Sequence, residues 1–405
     1  MILSLFSVIL HAEMMRSLFL AFLFAIPMAV PAQSTTDDSW AEGVVSAIDQ
    51  LLQADMFTKS QVGIMVYDLT ADSYLYSHNE RQSLRPASTM KLITAIAALE
   101  RLGDDHLFET SLYYTGYIYN GILDGDICCV GGFDPRFNGD DLRAFAESIL
   151  RLGVDTIRGN IVGDVSMKDA DRLGEGWCWD DENPVLSPLL VSGDDDFLFR
   201  LANELRLEGI IIEGSALEGR LPSGAYRLCT RSHTFGQVLM RMMKQSDNLC
   251  AEAMFYNLAR CYGGSPAKAE YARDAVNDLI RRLGLNPSDY YIADGCGLSL
   301  YNYVTAELEV RLLRYAYEHP DIYNALYTAL PVAGKDGTLH RRMRQGRAAG
   351  NVRAKTGTLT RISSLAGYCK SAEGHILCFS ILNQGLADES LGRAFQDKVC
   401  EILCK

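Results

Sequence analysis

The chain has 405 residues, of which 48% are hydrophobic and 22% charged. That balance suits one large globular domain with an insertion, or two or three smaller domains. Its formal net charge is −13 and no Lys/Arg-rich run stands out, which argues against nucleic-acid binding and against a polybasic membrane-surface role.

The N-terminus reads as an address. Arg16 precedes an apolar run, Ser17 to Val30, and Val30-Pro31-Ala32 leads into polar Gln33-Ser34-Thr35. A basic start, a short apolar stretch and small residues at the cut predict a secretory signal peptide over residues 1–32. The residues before Met14 add nothing signal-like, so Met14 or Met15 is the expected start. The run is short for a bilayer and Pro27 interrupts it. The mature chain is therefore expected to begin near Gln33, exported to the periplasm or another extracytoplasmic space, with at most peripheral membrane association. An uncleaved anchor is the alternative.

A helix is predicted over Trp40 to Gln53, then a hairpin over Gln61 to Asn79 turning at Thr70-Ala71-Asp72. Pro86 to Arg101 reads as a helix with Pro near its start and Gly103 just beyond its end. It is apolar on nearly every face, so it is expected to run through a core. From about 105 to 226, short strand-like pieces (Tyr117 to Val130, Gly159 to Val165) alternate with Gly/Asp turns, and one helix intervenes at Asp141 to Leu152. Helices return at Phe235 to Cys261 and Pro266 to Leu283. Strands follow at Lys355 to Lys370 and His375 to Gln384, and an amphipathic helix, Asp388 to Cys404, closes the chain. Strands at both ends with helices between predict one sheet assembled from the two ends and interrupted by an inserted module.

All eleven cysteines lie after the proposed cut, without zinc-ligand or Cys-x-x-Cys spacing. Cys369 and Cys378 face each other if Glu373-Gly374 form a two-residue turn, which would permit a cross-strand disulfide of awkward geometry. For most of the eleven, the role of small buried hydrophobe fits better.

Three short motifs carry chemistry. Ser88-Thr89-Met90-Lys91 places a hydroxyl at a helix N-terminus, with a lysine one turn up the same face. Apolar neighbours Met90, Leu92 and Ile93 would desolvate that amine and help it act as a base. The plainer alternative is a helix cap followed by a snorkelling lysine. The same pattern recurs at Ser265-Pro266-Ala267-Lys268, read as an ordinary helix start with Ser265 as cap. Ser246-Asp247-Asn248 interrupts a long apolar helical pattern with three poor helix formers. It marks either a break facing a cleft or a capped junction between helices. Ser77-His78-Asn79 also fits the short form of that motif. Lys355-Thr356-Gly357-Thr358 opens a strand, where Gly357 permits close backbone approach and the ammonium and hydroxyls suit a carboxylate. A solvated edge-strand lysine is the alternative there. The order Ser-x-x-Lys, Ser-x-Asn, Lys-Thr-Gly is the signature shared by β-lactamases and penicillin-binding proteins.

Longer strings sharpen this. Pro86 to Lys91, Gly131-Gly132-Phe133-Asp134-Pro135, Gly176 to Asp181, Ser246 to Leu249, Asp294 to Ser299, Leu330 to Leu339 and Lys355 to Thr358 resemble the D-alanyl-D-alanine carboxypeptidase/endopeptidases of the low-molecular-mass class C penicillin-binding proteins. The likeness runs from about Gln61 to Gln384. It implies an α/β fold of the serine β-lactamase/transpeptidase type, an antiparallel sheet with helices on both faces. Residues 33–105 and 227–405 would form the catalytic domain and 106–226 the inserted one. By resemblance, Ser88 is the nucleophile, Lys91 its base, and Ser246 the proton relay to the leaving D-alanine. Asn248 would bond the substrate amide, and Lys355, Thr356, Gly357 and Thr358 would line the carboxylate site. The backbone N–H groups of Ser88 and Thr358 would form the oxyanion hole, worth ~3 kcal/mol per donor. The resemblance implies peptidoglycan peptides as substrates, β-lactams as inhibitors, and neither metal nor organic cofactor.

The sequence departs from the family at Cys296, usually Ser, and at Phe133, usually Gly. Only 158 positions separate Ser88 from Ser246, a short gap for this family, so one reduced inserted module is expected. Asp169 or Asp171 would meet the peptide's diamino side chain, as that module does in relatives. Three readings compete: a β-lactamase, for which no deacylating carboxylate is identified in 105–226; a non-catalytic wall-binding protein; and an ester hydrolase with Ser-Lys chemistry.

Overall fold

A computed structural model describes residues 35–181 and 183–405. The predicted signal peptide lies outside the described residues. Two compact units divide the chain at Val44/Val45. The first carries the start of a helix, Thr35–Leu51, and the second carries every later element. No helix among the described residues is long and apolar enough to cross a membrane.

Strands β1 (Gln61–Asp68) and β2 (Ser73–His78) form the expected hairpin. Asp68 Oδ1 accepts from the backbone N–H groups of Thr70 and Ala71 and so shapes its turn. A tight 3-10 turn, Ala87–Thr89, then leads into the helix Met90–Leu102. Every residue from Met90 to Leu99 in that helix is buried, as its all-round apolar pattern predicted, and Gly103 ends it at φ 81°.

The next stretch builds two small sheets. Strands β3 (Leu107–Tyr114), β4 (Tyr117–Tyr119), β5 (Ile122–Asp124), β6 (Ile127–Gly131), β7 (Thr156–Ile157), β8 (Ile161–Asp164), β9 (Ile211–Ile212), β10 (Ala216–Glu218) and β11 (Tyr226–Thr234) order as β10-β8-β6-β3-β11 and β4-β5-β7-β9. Helices Gly139–Leu150 and Phe197–Leu207 accompany them. One hydrophobic cluster serves both sheets. Leu112, Ile127 and Ile161 from the first meet Leu123 and Ile157 from the second, and the rings of Phe137, Phe145 and Phe197 pack together at 5.2–6.4 Å. The strand closing the first of these sheets runs past residue 226, to Thr234.

The chain then returns to helices: Phe235–Lys244, Asn248–Gly263, Ala269–Arg282, Ala306–Glu318 and Pro320–Ala329. The helical stretch from Phe235 to Cys261 is two helices, broken at Gln245-Ser246-Asp247, within the interruption expected at Ser246-Asp247-Asn248. The helix expected from Pro266 begins instead at Ala269, and Ser265 does not cap it, because its N-cap is Lys268. Strands β12 (Arg353–Leu359), β13 (Ile362–Lys370) and β14 (Ile376–Gln384) complete the sheet β12-β13-β14-β1-β2, antiparallel throughout. Lys355 to Lys370 is thus a hairpin, not one strand, turning at Thr360-Arg361. Across β13 and β14, Cys369 lies opposite Leu377 and Cys378 opposite Tyr368, so the Cys369–Cys378 disulfide that a two-residue turn would have permitted fails on register. No cysteine among the described residues is bonded to another, and most are buried. The helix Glu389–Leu403 packs on β13.

Candidate active site

Ser88 sits within the tight turn, one residue before Thr89, the N-cap of Met90–Leu102, and neither side chain makes a capping bond at these two helix starts. Its hydroxyl is therefore not spent on capping. The turn is strained: Ala87 has φ 50°, a region disfavoured for any residue but glycine. Two bonds to one carbonyl hold it, from Thr89 Oγ1 at 2.9 Å and Ser364 Oγ at 2.5 Å, both to Pro86 O.

Lys91 does not snorkel; it is fully buried. Its Nζ lies 2.9 Å from Ser88 Oγ, 2.8 Å from Asn248 Oδ1 and 2.7 Å from Cys296 O. Burial holds its pKa below the ordinary lysine value, partly offset by Cys296, Asp294, Glu252 and Asp247. Nζ donates to all three; an amine that had lost a proton could instead turn a lone pair to the Ser88 hydroxyl.

Cys296 O is presented by the loop Asp294–Ser299, which a buried carboxylate organises. Asp294 accepts from Gly297 N, Ser299 N and Asn302 Nδ2 at 2.7 Å and from Trp177 Nε1 at 2.8 Å. Gly297 has φ 86°, and a Cβ there would strike Ala87 O, so the loop packs straight onto the Ala87–Thr89 turn.

The helix break brings in the second motif. Asp247 caps Asn248–Gly263 by accepting from Cys250 N at 2.9 Å, and it pairs with Arg241 Nε at 2.5 Å. Ser246, at φ 59°, is thereby turned to Lys355, whose Nζ donates to Ser246 Oγ at 2.8 Å and to Thr356 O at 2.7 Å. Break and capped junction are thus both present. Lys355 is no solvated edge lysine; it is buried, and burial, then the neighbouring charge of Lys91, pushes its pKa well down.

Strand β12 brings the third motif against the first. A Cβ on Gly357 would clash with Ser364 Oγ and come within 2.6 Å of Pro86 O and 2.9 Å of Ser88 N. Thr356 Oγ1 donates to Thr338 Oγ1 at 2.8 Å, while Thr358 is exposed. Thr338 lies in the Leu330–Leu339 string, where Asp336 takes Lys244 Nζ at 2.8 Å and ties the end of Phe235–Lys244 to this region.

Ser88, Lys91, Ser246, Asn248, Lys355 and Gly357 are thus brought together. Sequence reasoning gave no role to Asp294, Asn302, Thr338 or the Cys296 carbonyl. The strings containing Asp294 and Thr338 were the available signal. Asp169 and Asp171 lie beside Lys168, whose Nζ is 2.5 Å from Asp169 Oδ1 and also bonds Asp171 O. The Asp169 carboxylate is therefore already paired within the chain. Among the described residues, Glu252, Asp294 and Cys296 form a group of metal-ligand type, all buried. Both Asp294 oxygens there are occupied by N–H donors.

The chain as a whole is similar to known proteins. The chain is 28% identical, over an alignment 436 positions long, to the D-alanyl-D-alanine carboxypeptidase of Actinomadura sp. (strain R39), covering 84% of this chain and 80% of that one. It is 25% identical to the D-alanyl-D-alanine carboxypeptidase DacB of Haemophilus influenzae, covering 79% and 84%. In structure it is similar to penicillin-binding protein 4 of H. influenzae, with a TM-score of 0.80 at 23% identity, over 87% of this chain and 97% of the other. The family model for D-Ala-D-Ala carboxypeptidase 3 (S13) matches residues 44–192 and 189–405, and the chain belongs to that family.

Proposed function

We propose that this chain is a serine D,D-peptidase that cleaves D-Ala-D-Ala or D-Ala–diamino-acid bonds in peptidoglycan peptides through an acyl-enzyme on Ser88. The observation that carries the reading is the buried Lys91 amine, 2.9 Å from Ser88 Oγ. As Ser88 attacks the scissile carbonyl, its proton passes to Lys91 Nζ. The developing oxyanion is met by the backbone N–H groups of Ser88 and Thr358. Ser246, bonded to Lys355, relays a proton to the departing amine, and Asn248 both orients Lys91 and bonds the substrate amide. Thr358, exposed on the strand, and Thr356 hold the terminal carboxylate, with the Lys355 amine behind Ser246. Water then attacks the ester by the reverse proton path, releasing the shortened peptide.

The two sheets on their shared core, following the helix Met90–Leu102, fit a single inserted module. Asp171 is the better placed of the two aspartates to meet a diamino side chain, because Lys168 takes the Asp169 carboxylate. Export and signal cleavage fit a peptidoglycan substrate. A relative of this fold has been solved in complex with a β-lactam, and β-lactams are the natural probe here. Incubation with labelled penicillin followed by intact-mass measurement should show one adduct on the wild type and none on Ser88→Ala. An adduct of equal yield on Ser88→Ala would remove the proposed nucleophile. Digestion of muropeptides, with loss of terminal D-alanine, checks the substrate.

A further inference from the structure

Behind Lys91 lies a buried carboxyl group that the proposed acyl transfer through Ser88, Lys91 and Ser246 does not use. Glu252, on the helix Asn248–Gly263, is 1% exposed. Its Oε1 accepts from Gly295 N at 2.9 Å. The same short segment is gripped from a second helix. Gly295 O accepts from Thr94 Oγ1 at 2.7 Å, and Cys296 O accepts from Lys91 Nζ at 2.7 Å.

Lys91 and Thr94 stand one turn apart on Met90–Leu102, as Asn248 and Glu252 do on Asn248–Gly263. Asn248 Oδ1 takes the Lys91 amine at 2.8 Å. A closed ring results. It runs from Lys91 Nζ to Asn248, along one helical turn to Glu252, across to Gly295 N, and through Cys296 O back to Lys91 Nζ. Gly295 lies flat against that helix: a Cβ there would come within 2.6 Å of Phe255 Cβ and 3.0 Å of Ala251 O.

An apolar side chain would fill the place of Glu252 at less cost, but it would leave Gly295 N buried without a partner. Asp294 already carries the negative charge of the loop, with N–H donors from Gly297, Ser299, Asn302 and Trp177 on its oxygens. A carboxyl oxygen of Glu252 lies within 4.8 Å of one of Asp294, and a second negative charge so close, in a site closed to water, is repelled. Glu252 therefore keeps its proton. In that form it still accepts from Gly295 N, and it adds no negative charge that would hold a proton on Lys91. We infer that Glu252 is a positioning residue for the general base: it holds Gly295 N, and so fixes the Cys296 carbonyl that aims Lys91 Nζ at Ser88.

The inference rests on Lys91 taking the Ser88 proton, as proposed above. The test separates initial penicillin binding from the acylation step in wild type, Glu252→Leu and Glu252→Gln. Leucine keeps the bulk but leaves Gly295 N unpaired. Acylation should then slow on the order of tenfold or more, while the dissociation constant of the initial complex stays as in wild type. Glutamine offers Gly295 N the same kind of acceptor and should restore most of the rate. In a Lys91→Met background, Glu252→Leu should cost nothing further, because the group it positions is gone. Acylation of Glu252→Leu at the wild-type rate overturns the inference while leaving the acyl-enzyme intact. So does an equal loss in Glu252→Gln, or a loss that persists beside Lys91→Met. If wild type takes no adduct at all, the functional reading fails and this inference with it. Should Glu252→Leu not fold, Thr94→Val, which removes the bond to Gly295 O, should slow acylation in the same way. An unchanged rate there counts against the clamp.

Discussion

At the scale of single residues, the site works by withholding water from charged groups. An exposed lysine ammonium would be a poor base for a serine hydroxyl at neutral pH. Lys91, the proposed base, is suited to that role because the helix that carries it is buried on all sides, and desolvation disfavours its charged form. Its placement is then set by acceptors on three separate segments: Ser88 on its own turn, Asn248 after the helix break, and the Cys296 carbonyl on the Asp294 loop. The nearby Lys355 is buried too, which disfavours its charged form in the same way, and it answers to Ser246 instead. Replacing Lys91 by Met keeps length and burial but removes the base. Penicillin acylation of Lys91→Met should slow by roughly 10²–10⁴-fold, the usual range for losing a positioned general base, with the melting transition still cooperative. Acylation at the wild-type rate would mean that another group takes the Ser88 proton.

At the scale of elements, the site depends on an edge strand pressed against a strained turn. β12 is the outermost strand of its sheet and meets the Pro86–Ser88 backbone where its residue has no side chain. Gly357→Ala puts a methyl group among Ser364 Oγ, Pro86 O and Ser88 N, none of which is the yielding end of a flexible side chain. Overpacking of this sort costs about 1–3 kcal/mol. The larger effect should fall on function, because the strand must move away from the nucleophile to make room. Urea unfolding should therefore show a modest loss, while acylation falls by more than tenfold, on the order of the penalty for small misplacement. A variant that acylates normally would show that β12 has slack. The helix break between Phe235–Lys244 and Asn248–Gly263 was legible for the opposite reason: three residues that hydrogen-bond locally stand inside an apolar pattern, and Asp247 does cap. The helix Ala306–Glu318 was not legible, because Glu307 and Glu309 are buried within it and acidic residues at core positions blur the apolar period. Register at Cys369 and Cys378 depended on a connection over Ser371–His375 longer than a two-residue turn.

At the scale of the whole molecule, one sheet is closed by strands from the two ends of the chain, and this was readable from alternation at both ends. The loop that steers Lys91 was not, because its working group is a backbone carbonyl and its anchor, Asp294, gathers donors from Trp177, far away in sequence. Folding therefore buries several titratable groups, and stability must depend on pH. Burial, then the charge of Asp294, pushes Glu252 up to about 8. A raised carboxyl binds its proton more tightly in the folded state than in the unfolded one. Its contribution is complete below the unfolded value of about 4.5 and is lost as pH climbs through about 8. Lys91 and Lys355, with lowered values, act in the opposite sense: the unfolded chain binds their protons more readily, so they favour the folded state more as pH rises. The raw pH curve mixes these, but the difference between wild type and Glu252→Gln does not. The amide still accepts from Gly295 N, as Glu252 Oε1 does at 2.9 Å, and cannot ionise. Between about pH 5 and about pH 8 the wild type should therefore lose stability relative to Glu252→Gln, at no more than about 1.4 kcal/mol per pH unit. Denaturant unfolding of both proteins over that range measures the difference. A constant difference would mean that Glu252 ionises in the folded protein as it does in the unfolded chain, and that the charge behind Lys91 is not what burial implies.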